Sequence, residues 1–211
     1  ATISGTTTIC SGTSTSIVFS GTPNATVTYT INGGSNHTVV LDGTGNASVS
    51  TGILSSNAVY NLVSIATAGI PVCSKAITGT VTITVKSLPV AGISGTTSIC
   101  SGTASTINFS GTPNATITYT VNGGSNQTVV LNGSGAATVS TGILSSNAVY
   151  TLVSVASSGI PICTQNVTGT ATVTVIQLPV ASINGNAGIC SGTTSTINFT
   201  GTANATVTYT I

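Results

Sequence analysis

Apolar and polar residues alternate along Ala25–Ile31 (ATVTYTI) and again along Thr80–Val85 (TVTITV). A period of two places every second side chain on one face, the pattern of a strand with one buried side. The same reading assigns strands to Ile17–Phe19, His37–Leu41, Ala47–Ser50 and Ala58–Ile65. No segment shows helical periodicity. Asn32-Gly33 separates ATVTYTI from HTVVL and predicts a hairpin, because both residues tolerate positive φ. Asp42-Gly43 marks the next turn, and Asn132-Gly133 is its counterpart later in the chain.

The whole pattern recurs. Ala1–Val90 aligns with Ala91–Val180 without a gap, with roughly 64 of the 90 positions identical. Ala181–Ile211 begins a third copy. Ninety residues is the size of a small self-contained domain rather than of a solenoid repeat. About seven short strands per copy, with turns roughly every ten residues, fit an immunoglobulin-like β-sandwich. The expected architecture is therefore all-β: residues 1–90 as the first sandwich, 91–180 as the second, and 181–211 as the N-terminal part of a third. Pro89 and Pro179 lie in the LPV segments at the copy boundaries. Proline fixes φ and stiffens a short link, which predicts an extended rod with limited bending. The chain has no Met and no basic-then-apolar leader, as expected of a mature segment or fragment. Completion of the third copy, by its own chain or by strand addition from another, is left open.

Charge changes the picture more than any motif. Only 1% of residues are charged: Asp42, Lys75 and Lys86, with His37 the one imidazole. Soluble domains ordinarily carry about 25%. Thr, Ser, Asn and Gly hydrate this surface without giving it a field. A net charge of +1 offers no steering toward nucleic acid or anionic lipid. Apolar runs are too short and too interrupted for a spanning helix. In the second copy Gln127, Asn132, Gln165 and Ile176 replace His37, Asp42, Lys75 and Lys86. That copy has no acid, base or imidazole for general acid–base catalysis, a Ser-His-Asp triad or paired glycosidic carboxylates. A non-catalytic protein without metal or cofactor is expected.

The five cysteines keep the ninety-residue period. Cys10 and Cys73 are 63 apart, as are Cys100 and Cys163, and Cys190 opens the third copy. The simplest pairing joins Cys10 to Cys73 and Cys100 to Cys163, leaving Cys190 unpaired. Spacing cannot prove connectivity, and free buried thiols are the remaining alternative. Zinc is disfavoured by the lack of CxxC and the presence of only one histidine, and a catalytic thiol by the lack of any recurring basic neighbour. Bridged cysteines imply an oxidising compartment.

Two smaller signals recur. Tyr60 and Tyr150 open the strand before the second cysteine of each copy, either as a loose tyrosine corner or as half-buried strand residues. Asn24-Ala25-Thr26, Asn114-Ala115-Thr116 and Asn204-Ala205-Thr206 fit the glycosylation acceptor pattern, as does Asn36-His37-Thr38, though a chain rich in Asn, Ser and Thr produces such triplets by chance.

The order ICSGT, GTPNATVTYTINGG, AVYNLVSIATAGIPVC, TGTVTITV and LPVA resembles the PKD-like, immunoglobulin-type tandem repeats of very large Bacteroidetes surface proteins. Those are gliding-motility-associated or adhesin-like and type IX-secreted. The resemblance covers the whole chain and implies a bacterial cell-surface location and a stalk whose binding function lies elsewhere. The expected function is a structural shaft of an extracellular adhesin or filament, self-associating into a fibre or sheath. Its partners would be other copies of itself, with surface glycans or abiotic surfaces beyond them. The alternative is a glycan- or surface-ligand-binding module using loops Gly21–Asn24 and Gly33–Asn36.

Overall fold

A computed structural model describes residues 1–211. It holds strands and no helix, so no helix is long and apolar enough to cross a membrane. The first ninety residues form β1 (Thr2–Ser4), β2 (Thr7–Cys10), β3 (Ser16–Ser20), β4 (Thr26–Ile31), β5 (Asn36–Val40), β6 (Asn46–Ser50), β7 (Ala58–Ala66), β8 (Ser74–Ala76) and β9 (Thr80–Lys86). One sheet has the order β1-β3-β6 and the other β2-β9-β7-β4-β5, with β8 beside the end of β7. All pairings are antiparallel except β2 with β9.

The next ninety residues repeat this order in β10 (Ala91–Ser94), β11 (Thr97–Cys100), β12 (Thr106–Gly111), β13 (Thr116–Val121), β14 (Gln127–Val130), β15 (Ala136–Ser140), β16 (Ala148–Ala156), β17 (Thr164–Asn166) and β18 (Thr170–Ile176). Both units carry a bulge in the same place, at Thr28/Tyr29 and Thr118/Tyr119. The last residues give only the two-stranded ribbon β19 (Ala181–Asn184) and β20 (Asn198–Gly201).

The alternation in the sequence is the alternation of burial. Val27 and Tyr29 of β4, and Val81 and Ile83 of β9, point into the first core, where they meet Ile17, Phe19, Leu41, Tyr60 and Leu62. Phe19 packs against Tyr29 with ring centroids 4.9 Å apart, and Tyr29 in turn faces Tyr60 at 6.3 Å. Tyr60 is fully buried in this stack, and its hydroxyl makes no backbone hydrogen bond of the tyrosine-corner kind. The second core repeats the arrangement. In the third unit the corresponding Ile183, Phe199, Val207 and Tyr209 are exposed, because no second sheet lies over them.

The predicted hairpin is present. Asn32 and Gly33 both have positive φ, 51° and 69°, and the Gly34 amide donates to the Ile31 carbonyl at 2.9 Å. Asn32 does more than turn the chain. Its backbone amide donates to the Val59 carbonyl and its Oδ1 accepts from the Val59 amide, each at 2.8 Å, so the turn is tied to β7. Asp42 organises its own turn, with Oδ1 accepting from the Thr44 amide, the Thr44 hydroxyl and the Asn46 amide. Asn132 accepts the equivalent three bonds, so the turn needs an acceptor oxygen and not a charge.

The strands not anticipated are β1, β2 and β8. They are three or four residues long, too short for a periodic signal. Gly5 separates β1 from β2 at a φ of 123° and hands the chain from one sheet to the other. A Cβ there would lie 2.9 Å from the Ser16 carbonyl oxygen, so only glycine allows the crossing.

Candidate functional site: the junction between the two sandwiches

The position of Cys10 follows from β2. That strand runs parallel to β9 and pairs Cys10 with Lys86, at the pole where the chain leaves the first sandwich. The Ser11 amide donates to the Lys86 carbonyl at 2.8 Å, and the Thr13 hydroxyl to the Cys10 carbonyl at 2.7 Å. Cys73 lies in the loop from β7 to β8, where its carbonyl accepts from the Thr67 amide. β9 pairs Ile83 with Ala58, so Lys86 and Cys10 lie level with Ser55. From that level to Thr67 is about twelve strand residues, or about 40 Å. A disulfide needs Cα atoms within about 7 Å. The expected Cys10–Cys73 bridge therefore cannot form, and the same geometry excludes Cys100–Cys163.

The observed bridge joins Cys10 to Cys163, with Cα atoms 5.5 Å apart and a separation of 153 residues in sequence. It crosses from the exit pole of the first sandwich to the β16–β17 loop of the second. Cys73, Cys100 and Cys190 are free and exposed. The period was right and the partner wrong. Each ICSGT cysteine sits at the opposite end of its sandwich from the GIPxC cysteine, so bridging is possible only between successive units.

Lys86 reinforces the joint. Its Nζ donates to the Ser158 carbonyl at 2.6 Å and to the Pro161 carbonyl at 3.0 Å. An ammonium donating to carbonyls that point out of a tight loop is a charge-assisted contact. Within the loop, the Cys163 amide donates to the Ser157 hydroxyl oxygen and the Ser157 amide to the Cys163 carbonyl. The first sandwich makes the same internal bonds with Thr67 and Cys73, so the loop holds its shape whether or not a neighbour covers it.

The two copies act as each other's control for what the junction buries. Cys163 is 1% exposed and Ser157 6%, whereas Cys73 and Thr67 are exposed. Pro89 is buried and Pro179 exposed. Ile65, Thr67, Cys73, Lys75 and Thr22 of the first sandwich line an open cavity of about 200 Å³ at its outer pole.

The other sequence candidates lie away from this joint. Gly21–Asn24 is beside the Cys73 loop, since Thr22 and Cys73 share the cavity, while Gly33–Asn36 follows Asn32, which is bonded to Val59 near the other end of β7. The two loops proposed as a ligand site do not converge. His37 stacks on Tyr29 with ring centroids 5.5 Å apart, and the acceptor asparagines Asn24 and Asn114 are exposed at positive φ. No group of three or more His, Cys, Asp or Glu side chains is placed to hold a metal ion.

No family model and no curated protein matches the sequence. Among solved structures, the chain is similar to a marsupial T cell receptor, with a TM-score of 0.53 and 14% identity over 89% of this chain and 77% of that one. The likeness shows an immunoglobulin-like β-sandwich fold.

Proposed function

We propose that this chain is a structural, non-catalytic segment of an extracellular adhesin or filament shaft, in which successive sandwiches are locked end to end. The observation that carries this reading is the bridge from Cys10 to Cys163, which spends its covalent bond on the joint between domains and none on either core. A binding module on a flexible string has no use for such a joint. A shaft that must resist bending and pulling does. The Lys86 contacts and the buried Pro89 stiffen the same place. A disulfide also fits an oxidising, extracellular setting. The near-absence of charge supports the reading further, since Thr- and Ser-rich faces neither repel like copies nor depend on salt.

Lys75 and Lys86 are the chain's only tryptic sites, which makes the test simple. Denatured, alkylated but unreduced protein is digested with trypsin and weighed. The bridge described here joins fragment 1–75 to fragment 87–211 in one mass that reduction splits. Separate fragments in the unreduced digest would refute the joint. Solution scattering of the oxidised chain should give a maximum dimension of roughly 80 Å or more, two sandwich lengths. A compact, side-by-side particle would refute the shaft.

A further inference from the structure

Resting on that reading, we propose that the Cys10–Cys163 bridge makes this chain a tension-bearing tether. Force applied along the chain runs through one strand crossing of each sandwich and the disulfide between them, and it bypasses both cores.

The path can be followed residue by residue. Ala1 lies against Gly21 at the outer pole, since a Cβ on Gly21 would stand 2.9 Å from the Ala1 Cβ. From there β1 runs along β3, Gly5 changes sheet, and β2 continues along β9 to Cys10 at the exit pole. Residues 1–10 thus cross the whole first sandwich once, about 33 Å of extended strand. The disulfide then steps to Cys163, whose Cα is 5.5 Å away. Beyond Cys163, β17 and β18 both run antiparallel to β16, so they share one direction. They carry the chain from the joint to Ile176 at the far pole, where the Ser101 amide donates to the Ile176 carbonyl. Residues 163–176 therefore cross the second sandwich once.

Everything else is enclosed. Residues 11–162 form a loop closed by the bridge, and tension on the ends cannot lengthen it. That loop holds every residue of the first core, from Ile17 to Ile83. It also holds the second core except Ala171 and Val173, which sit on β18. Force speeds unfolding by the work it does as the ends move apart. A path that already crosses each sandwich as extended strand has little length to gain, so little work is done. Without the bridge, the same pull would act through both sandwiches in series and unravel each of them.

The test is force spectroscopy on the full chain held by its two ends, carrying Cys73→Ser, Cys100→Ser and Cys190→Ser so that no other thiol exchanges. Oxidised chain should stretch smoothly once the β19–β20 ribbon opens, to a reach of about 200 Å from residues 1–10 and 163–211. Reduced chain should show two abrupt unfolding steps and reach about 530 Å further, the length of residues 11–162. Adding Cys10→Ser should reproduce the reduced trace without reductant. Abrupt steps in the oxidised chain at the forces that unfold the reduced sandwiches would overturn the proposal, because they would show slack in the path. A reduced chain that reaches no further than the oxidised one would overturn it too. If either result comes while the tryptic 1–75/87–211 link stands, only this inference falls. If that link is missing, the shaft reading falls with it.

Discussion

Lys86 and Pro161 meet across the junction, with the Lys86 Nζ 3.0 Å from the Pro161 carbonyl oxygen, although they belong to different sandwiches. One of the chain's three charged side chains is therefore used to join domains rather than to solvate a surface. The second sandwich has Ile176 at this position, so its own exit pole lacks the clamp.

Replacing Lys86 with Ile, the residue of the second copy, should therefore matter only when the bridge is open. In reduced protein the loss of two donors from a partly exposed ammonium should weaken the coupling between sandwiches by about 1 kcal/mol. In oxidised protein the change should be barely visible. Calorimetry of wild type and Lys86→Ile, each with and without reductant, checks this.

Cys10→Ala should leave both cores folded and loosen only the joint. In the chain-entropy model a bridge spanning this much sequence contributes about 5 kcal/mol. Here two folded sandwiches joined by a short proline link are already close, so the measured loss should be smaller. Scattering should show a broader distribution of dimensions, and the tryptic digest should release 1–75 free.

Stability should be flat across a wide range of pH. Asp42 is held below the ordinary carboxylate value, chiefly by the Thr44 hydroxyl and then by the amides of Asn46 and Thr44. A lowered value means that its contribution is present above the ordinary carboxylate pKa and is lost as pH falls through the folded-state value. Burial raises Tyr29, Tyr60, Tyr119 and Tyr150, so their contribution is present below the ordinary tyrosine pKa and is lost as pH rises through the higher folded-state values. The expected plateau runs from about pH 4 to about pH 10. Asp42→Asn should remove the Asp42 part of the acid limb, since Asn132 already builds the same turn. Thermal melts across pH check both limbs.

Gly45→Ala should be among the costliest small changes. Gly45 has a φ of 82°, and a Cβ there would lie 2.2 Å from the carbonyl oxygen of Gly21, whose amide donates to the Gly45 carbonyl. Strain and collision together should cost about 3 kcal/mol, seen as a lower unfolding midpoint. Gly43→Ala, two residues away with open space around it, is the control.

Most of the sandwich is legible in the sequence. Val27 and Tyr29 declare their face by alternation, and Asn32-Gly33 declares its turn, because a strand's burial and a two-residue loop depend on near neighbours. The ninety-residue period likewise identifies the cysteines as a set. What the sequence by itself does not contain is which end of the sheet each cysteine reaches. That depends on β2, four residues that run parallel to β9 only after Gly5 has moved the chain between sheets. Equal spacing of 63 residues made Cys10 and Cys73 look like partners, but distance along a chain says nothing about distance along a sheet. The sequence determined the longer strands, their buried faces and the repeat. The tertiary structure alone decided that Cys10 lies at the pole opposite Cys73, and so that the disulfide belongs to the joint between sandwiches and not to the core of either.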